Sequence, residues 1–106
     1  MTNFFGRDIL YMGVTGMKKR LRIRFHGRVQ GVGFRYTAYH LAQALELTGW
    51  VENCFDGTVL CEVQGDKISI DEMLGKLSAG RYIDITGMDI NELQINDKER
   101  SFNIRE

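Results

Sequence analysis

Residues 25–35, FHGRVQGVGFR, join two different sequence periodicities and thereby decide the fold of this chain. Before them, Leu21 and Ile23 alternate with basic residues, which is typical of a half-buried β-strand. After them, apolar residues recur at helical spacing from Phe34 to Leu45, which predicts an amphipathic helix. The stretch between the two patterns therefore predicts a tight strand-to-helix turn.

This turn contains three glycines and is suited to hold an anion. Gly27, Gly31 and Gly33 can take up positive φ and leave main-chain amides uncovered, and the start of a helix adds unpaired N–H donors. Arg35, in the first helical turn, would add a planar and permanently charged guanidinium. A Walker A loop requires Lys at the position of Phe34, so that nucleotide-binding motif does not fit.

Further signals predict turns and helix ends in the rest of the chain. Asp56-Gly57 predicts a hairpin, with Asn53 at the end of the strand that enters it. Residues 69–72 match a capping box that would begin a second helix, and Gly49 is expected to stop the first helix. These signals separate short strand patterns from two helical ones.

The order of the patterns predicts an α+β fold, a ferredoxin-like βαββαβ sandwich. We expect an antiparallel sheet with two helices on one face and a short fifth strand near Phe102, and a slip in the alternation at Gly87 predicts a β-bulge. The first strand is central in this fold, so the glycine loop and the hairpin can meet at one end of the sheet. Residues 18–106 are predicted to form this domain, and residues 1–17 an N-terminal extension that could be disordered.

The net charge is zero, but the two halves of the chain differ in sign. Residues 1–53 carry 8 Lys or Arg against 3 Asp or Glu, and residues 54–106 carry 6 against 11, so the glycine loop lies in a basic half. Basic residues on the first strand leave RNA binding open as an alternative. We favour the solvated face of a half-buried strand, because the pattern lacks the paired exposed aromatics that stack bases.

The remaining composition indicates a globular protein of the cytoplasm. Cys54 and Cys61 match no zinc-binding spacing, and the hairpin turn keeps them from pairing, so free thiols in a reducing compartment are expected. No apolar run approaches the roughly 20 residues that span a bilayer, and no membrane association is expected.

Four segments of the chain closely resemble the acylphosphatase family: GRVQGVGFR at 27–35, GWVEN at 49–53, DGTV at 56–59 and FNIR at 102–105. The resemblance covers residues 18–106. It implies a ferredoxin-like fold and hydrolysis of the carboxyl–phosphate bond of acyl phosphates, without a cofactor or a metal.

The resemblance also implies roles for individual residues. Arg35 matches the position that binds phosphate, and Asn53 the position that holds the attacking water. Thr58 is a candidate for orienting Asn53. The loop around the phosphate comprises Gly27, Arg28, Val29, Gln30, Gly31, Val32 and Gly33. From spacing alone, Asn53 could instead be an ordinary turn former, and Arg35 could be solvated.

The expected chemistry needs no general acid, because the leaving carboxylate has a conjugate acid with a pKa of about 4–5. Since an Asn side chain is a poor base, the proton of the water would pass to a phosphate oxygen of the substrate. The implied partner is a small-molecule acyl phosphate, with phosphate or sulfate as inhibitors and no nucleic acid, and a monomer is expected.

One alternative is a non-enzymatic module that binds anions or handles carbamoyl phosphate, because related domains occur at the front of larger maturation enzymes. The absence of downstream zinc-binding cysteine pairs favours a free-standing protein.

Overall fold

The computed structural model describes residues 17–106, in which two helices pack on one face of a five-stranded sheet. In chain order the elements are β1 (Lys18–Arg28), α1 (Phe34–Ala44), β2 (Thr48–Asn53), β3 (Val59–Asp66), α2 (Lys67–Ser78), β4 (Asp84–Leu93) and β5 (Phe102–Arg105). The predicted α+β, ferredoxin-like sandwich is confirmed. The predicted N-terminal extension lies outside the described residues except for Met17.

The sheet has the strand order β4-β1-β3-β2-β5, so β1 is an interior strand as predicted. β1 is antiparallel to both β3 and β4, and β2 is antiparallel to β3. The short fifth strand pairs in parallel with β2, which makes the sheet mixed rather than wholly antiparallel. β4 and β5 lie at opposite edges of the sheet and run in opposite directions, which gives β5 the same direction as β2.

The alternation of β1 buries Leu21, Ile23 and Phe25 beneath the helices. The Phe25 ring lies 4.8 Å, between centroids, from the ring of Phe34, the first residue of α1. Burial of one such side chain contributes about 1.5–3 kcal/mol to stability. This aromatic pair therefore holds together the two ends of the glycine loop.

The first helix ends earlier than predicted. It stops at Ala44, and Glu46 takes up the positive φ of 58° that turns the chain towards β2. Gly49, expected to be the helix stop, instead lies inside β2. A side chain at Gly49 would overlap the main-chain carbonyl oxygen of Glu62, so the glycine is required by close packing against β3.

The second helix begins before the predicted capping box. Pairing between β1 and β3 continues to Lys18 and Asp66, and the Lys67 amide donates to the Met17 carbonyl at 3.0 Å. The helix starts at Lys67, where this pairing ends, with no side-chain cap. Ser69 consequently lies within the first turn of α2 instead of preceding it.

The predicted bulge is confirmed where β1 meets β4. His26 lies opposite Gly87 and Gly27 opposite Ile85, which leaves Thr86 as the extra residue. Gly27 has a φ of 121°, and a side chain there would overlap the main-chain carbonyl oxygen of Asp84. The end of β1 is therefore held closely against β4.

Both cysteines are free, as expected, and burial of the Cys61 thiol raises its pKa. Neither helix within residues 17–106 has the length and apolarity that a membrane crossing needs.

Candidate active site

The C-terminal ends of β1 and β2 lie at the same end of the sheet, because both strands are antiparallel to β3. The glycine loop leaves β1 at this end, and the hairpin that follows Asn53 leaves β2 there. A cavity of about 230 Å³ opens between them. It is lined by Val29, Gly31, Gly33, Phe34, Arg35, Tyr36 and Asn53. The structure thus brings Arg35 and Asn53 to one cavity.

The glycine loop reaches α1 through backbone conformations that favour glycine. Gly31 and Gly33 have φ of 73° and 79°, and no other atom lies within 4 Å of where a side chain would begin. Gly33 is the N-cap of α1, makes no side-chain cap hydrogen bond, and is followed by no acidic residue in the first turn. The first amides of α1 therefore lack the side-chain acceptor that usually caps them, which suits an anion.

Arg35 is the second residue of α1 and its side chain is 31% exposed. Its Nη1 donates to the main-chain carbonyl of Arg105 at 3.3 Å and lies 3.8 Å from the Glu106 carboxylate. Exposed contacts of this kind are typically worth less than about 1 kcal/mol. The end of β5 thus steadies the guanidinium beside the cavity without a strong ion pair.

Asn53 is the last residue of β2, and a hydrogen-bonded turn follows it. The Cys54 amide donates to the Thr58 carbonyl at 2.8 Å, and the Asp56 carboxylate accepts from both the amide and the hydroxyl of Thr58. These bonds from Thr58 lower the pKa of the Asp56 carboxyl. Arg24 Nη1 donates to the Thr58 hydroxyl at 2.8 Å.

Thr58, proposed from the sequence as an orienting residue, therefore acts on the turn. Within residues 17–106 its side chain makes no hydrogen bond to the amide of Asn53, and it does not line the cavity.

The side chain of Gln30 connects the glycine loop to this turn. Its Nε2 donates to the main-chain carbonyls of Cys54 at 2.7 Å and of Thr58 at 2.8 Å. The sequence indicated only that the main chain of Gln30 belongs to the loop. The sequence did not predict this connection. A polar residue between glycines does not indicate a hydrogen bond to a turn more than twenty residues further along the chain.

The seven loop residues do not form one surface. Gly27 and Arg28 belong to β1 and pair with residues of β4, and Val29 is buried. Only Val29, Gly31 and Gly33 line the cavity with Arg35 and Asn53. A second cavity of about 570 Å³ shares Gly31 with the first and is lined by Arg28, Gln30, Gly31, Val32 and Tyr82. Phe34 and Tyr36 also line the first cavity, and no motif in the sequence selected them.

Neither histidine lines the first cavity. His26 Nε2 lies 2.8 Å from Asp89 Oδ2, and the His40 ring packs against Tyr36 and Tyr39 on α1. Among residues 17–106, no group of three or more His, Cys, Asp or Glu side chains is arranged to hold a metal ion. Apart from the exposed Tyr36, the polar side chains at the cavity are the guanidinium of Arg35 and the carboxamide of Asn53.

Arg20 and Arg22 of β1 are paired with carboxylates, and Arg20 is buried where the sequence indicated a solvated face. Arg20 is only 5% exposed and donates to Glu62, Gln64 and Glu99. Arg22 donates to the other oxygen of Glu62. The segment between β4 and β5, which carries Glu99, covers this part of the sheet. These arginines are therefore not a free basic surface of the kind that RNA binding requires.

Known proteins resemble this chain in sequence and in fold. The Acylphosphatase family model matches residues 21–104. The acylphosphatase of Clostridium acetobutylicum is 39% identical over 89 residues, which cover 83% of this chain and 98% of that protein. The crystal structure of acylphosphatase from Bacillus subtilis superposes with a TM-score of 0.77 and 31% identity, over 85% of this chain and 100% of that one.

Part of a larger protein is also similar. The crystal structure of full-length HypF, in the phosphate- and nucleotide-bound form, matches with a TM-score of 0.76 and 26% identity, over 85% of this chain but 12% of HypF. Because the family model spans most of the chain and the relative from Clostridium acetobutylicum is matched over nearly its whole length, this chain belongs to the acylphosphatase family.

Proposed function

We propose that this protein hydrolyses the carboxyl–phosphate bond of acyl phosphates to a carboxylate and inorganic phosphate. Membership of the acylphosphatase family supports this activity. The assignment of roles rests on one observation. An uncapped helix N-terminus, Arg35 and Asn53 line the same cavity.

The phosphoryl group binds at the start of α1. Main-chain amides of the loop and of the first helical turn donate to its oxygens, and the positive end of the helix dipole adds to their attraction. The Arg35 guanidinium offers a planar pair of N–H donors, which suits two oxygens of one phosphoryl group. The charge that spreads over these oxygens in the transition state is stabilised by the same donors.

The carboxamide of Asn53 holds the attacking water in line with the leaving oxygen. The water oxygen forms a bond to phosphorus, the bond between phosphorus and the acyl oxygen breaks, and the carboxylate leaves with the electron pair. The proton of the water passes to a phosphoryl oxygen, so the products are a carboxylate and dihydrogen or monohydrogen phosphate according to pH. Placement of the water in line contributes through orientation.

The reaction proceeds without a metal ion, because the leaving carboxylate is stable as an anion and the phosphoryl charge is matched by Arg35 and amides. Hydrolysis of benzoyl phosphate, followed continuously with excess EDTA present, tests this. We expect turnover that EDTA does not change. Loss of turnover in EDTA that returns on addition of a divalent cation would contradict the metal-independent mechanism.

The Asn53→Ala variant tests the role of the water-holding residue. We expect kcat to fall while competitive inhibition by phosphate or sulfate changes little, because water placement contributes mainly in the transition state. An equal loss of inhibitor affinity and of rate would instead identify Asn53 as a contact of the phosphoryl group.

The similarity to part of HypF favours one alternative, a module that binds an anion without turnover. Such a module would bind phosphate at the same cavity. Phosphate binding in the absence of any acyl phosphate hydrolysis would support the module over the enzyme.

A further inference from the structure

We propose that Arg24 is a positioning residue for the reaction, which holds the turn after Asn53 and thereby places the carboxamide that orients the attacking water. This inference rests on the hydrolysis proposed above. It assigns a role to a residue in the middle of β1, which precedes the glycine loop and lines neither of the two cavities.

One nitrogen of Arg24 contacts both ends of the turn. Arg24 Nη1 donates to the Thr58 hydroxyl at 2.8 Å and to Cys54 Sγ at 3.5 Å. Cys54 directly follows Asn53. Thr58 directly precedes Val59, which is the partner of Asn53 across the hairpin. Since Nη1 carries two hydrogen atoms, it serves both acceptors at once, and the guanidinium bridges the two ends of the turn.

The hydroxyl of Thr58 passes this restraint to the rest of the turn. It has one proton, which it donates to Asp56 Oδ1 at 2.7 Å, so that its oxygen is left to accept from Arg24. The same carboxylate oxygen accepts from the Thr58 amide at 3.0 Å, and Asp56 Oδ2 lies 4.0 Å from Arg24 Nη1. Hydrogen bonds that involve a charged partner are stronger than those between neutral groups. The charged ends of this chain of bonds therefore fix the orientation of the hydroxyl.

The two residues that Arg24 contacts are held a second time through their main chain. Gln30 Nε2 donates to the carbonyls of Cys54 and Thr58, whereas Arg24 donates to their side chains. Two elements, the glycine loop and β1, thus restrain the same pair of residues. Removal of one restraint should loosen the turn and displace the neighbouring carboxamide of Asn53, while the phosphoryl site at the start of α1 stays intact.

The Arg24→Met variant, which keeps most of the aliphatic stem and removes every donor, tests this role with benzoyl phosphate as the substrate. We expect kcat to fall about three- to tenfold, less than the roughly 100-fold that a 1 Å displacement of reacting groups can cause, because Gln30 still holds the turn. Competitive inhibition by inorganic phosphate should change by less than about twofold, since water placement contributes mainly in the transition state. A residue that served only stability would leave kcat of the folded variant unchanged.

Arg22→Met is the matched control. Arg22 lies two residues earlier on the same face of β1, and its side chain is 49% exposed against 36% for Arg24. Within residues 17–106 its side-chain hydrogen bonds go to Glu62 and not to the turn. Arg22→Met should therefore keep the kcat of wild type. An equal fall of kcat in both variants would trace the effect to lost positive charge and overturn the inference.

Thr58→Val removes the acceptor of the Arg24 bond and tests whether Arg24 acts through Thr58. The double variant Arg24→Met/Thr58→Val should have a kcat within about twofold of that of the slower single variant, because both substitutions remove the same bond. Losses of kcat that multiply in the double variant would show that Arg24 does not act through this hydroxyl.

The side-chain amide signals of Asn53 in a ¹H–¹⁵N NMR spectrum give a readout that does not depend on activity. They should shift in Arg24→Met and stay in place in Arg22→Met. An unchanged kcat in Arg24→Met, or a loss of kcat without a shift of the Asn53 signals, overturns the inference while hydrolysis itself stands. Failure of the wild type to hydrolyse benzoyl phosphate overturns the proposed function and this inference with it.

Discussion

At the N-terminal end of β1, Arg20 is buried among carboxylates, whereas at the C-terminal end Arg28 lines a cavity and Arg35 lies just beyond the strand at another. The carboxylates at the first end are Glu62 and Glu99, each within 2.8 Å of an Arg20 nitrogen. At the other end, the described chain offers Arg35 only a main-chain carbonyl and a carboxylate 3.8 Å away.

The difference shows how one residue type can be paired with carboxylates inside the fold at one place and line a cavity at another. A buried guanidinium must be paired, since desolvation of an isolated charge is unfavourable by several kcal/mol. A guanidinium without a close carboxylate keeps its attraction for an incoming anion. The arginines of the basic half thus differ between the two ends of β1: Arg20 is paired and buried at one end, and Arg28 and Arg35 line cavities at the other.

Arg35→Ala should give the largest effect on activity, because it removes the guanidinium beside the first cavity. We expect kcat/KM for an acyl phosphate to fall about 10²- to 10³-fold, the usual result of removing one donor from a charge-stabilising site. The free energy of unfolding, measured in urea, should change by less than about 1 kcal/mol because the contacts of Arg35 are exposed. Near wild-type turnover by this variant would show that Arg35 does not bind the phosphoryl group.

Arg20→Ala should have the opposite profile. Loss of the guanidinium leaves Glu99 unpaired and Glu62 bound only by Arg22, so we expect the free energy of unfolding to fall by about 3 kcal/mol. At a temperature where the variant remains folded, kcat should stay close to wild type. If Arg20→Ala were as stable as wild type, or lost turnover while folded, Arg20 would not have the purely structural role that separates it from Arg35.

Gln30→Ala tests the C-terminal end of β1 without removing a charge. It removes the bonds that connect the glycine loop to the turn after Asn53. Its amide holds the loop to the turn after Asn53 through two carbonyls, both of which keep another donor. We expect kcat to fall about tenfold, within the range attributed to misplacement of reacting groups, with little change in phosphate inhibition. Gln43→Ala, which removes an exposed contact to Tyr39, is the matched control and should leave kcat unchanged.

The change that Glu62→Gln causes in the pH dependence of stability should be the smallest of these effects. Burial alone would raise the pKa of Glu62, but hydrogen bonds from Arg20 and Arg22 outweigh it and the pKa is lowered. The unfolded chain therefore takes up a proton on Glu62 at higher pH than the folded chain does. This contribution to stability is present above the ordinary pKa of Glu and is lost as pH falls through the lowered value.

Urea unfolding between about pH 3 and about pH 7 measures the Glu62 effect. The pH-dependent loss of stability should be smaller in Glu62→Gln than in wild type by on the order of 1 kcal/mol, the scale of a net charge-assisted hydrogen bond. Identical pH dependence in both proteins would show that Glu62 is not the titrating group.

The faces of the strands and of α1 were predictable because burial repeats every two residues in a strand and every 3.6 in a helix. Leu21, Ile23 and Phe25 were assigned correctly for this reason. The ends of the helices were not, because distant segments decide them. Gly49 is needed by the carbonyl of Glu62, and α2 begins where Asp66 stops pairing with Lys18.

The sequence by itself determined the fold class, the family, and the two candidate residues Arg35 and Asn53, since these depend on local periodicity and on motifs that are continuous in the chain. Tertiary structure alone decided that Arg20 is buried and that Gln30 joins the loop to the hairpin. It also divided the loop between two cavities, with Arg28 at the second. Whether an arginine is paired or available to a ligand depends on which carboxylates the fold brings near it, and residues far apart in the chain supply them.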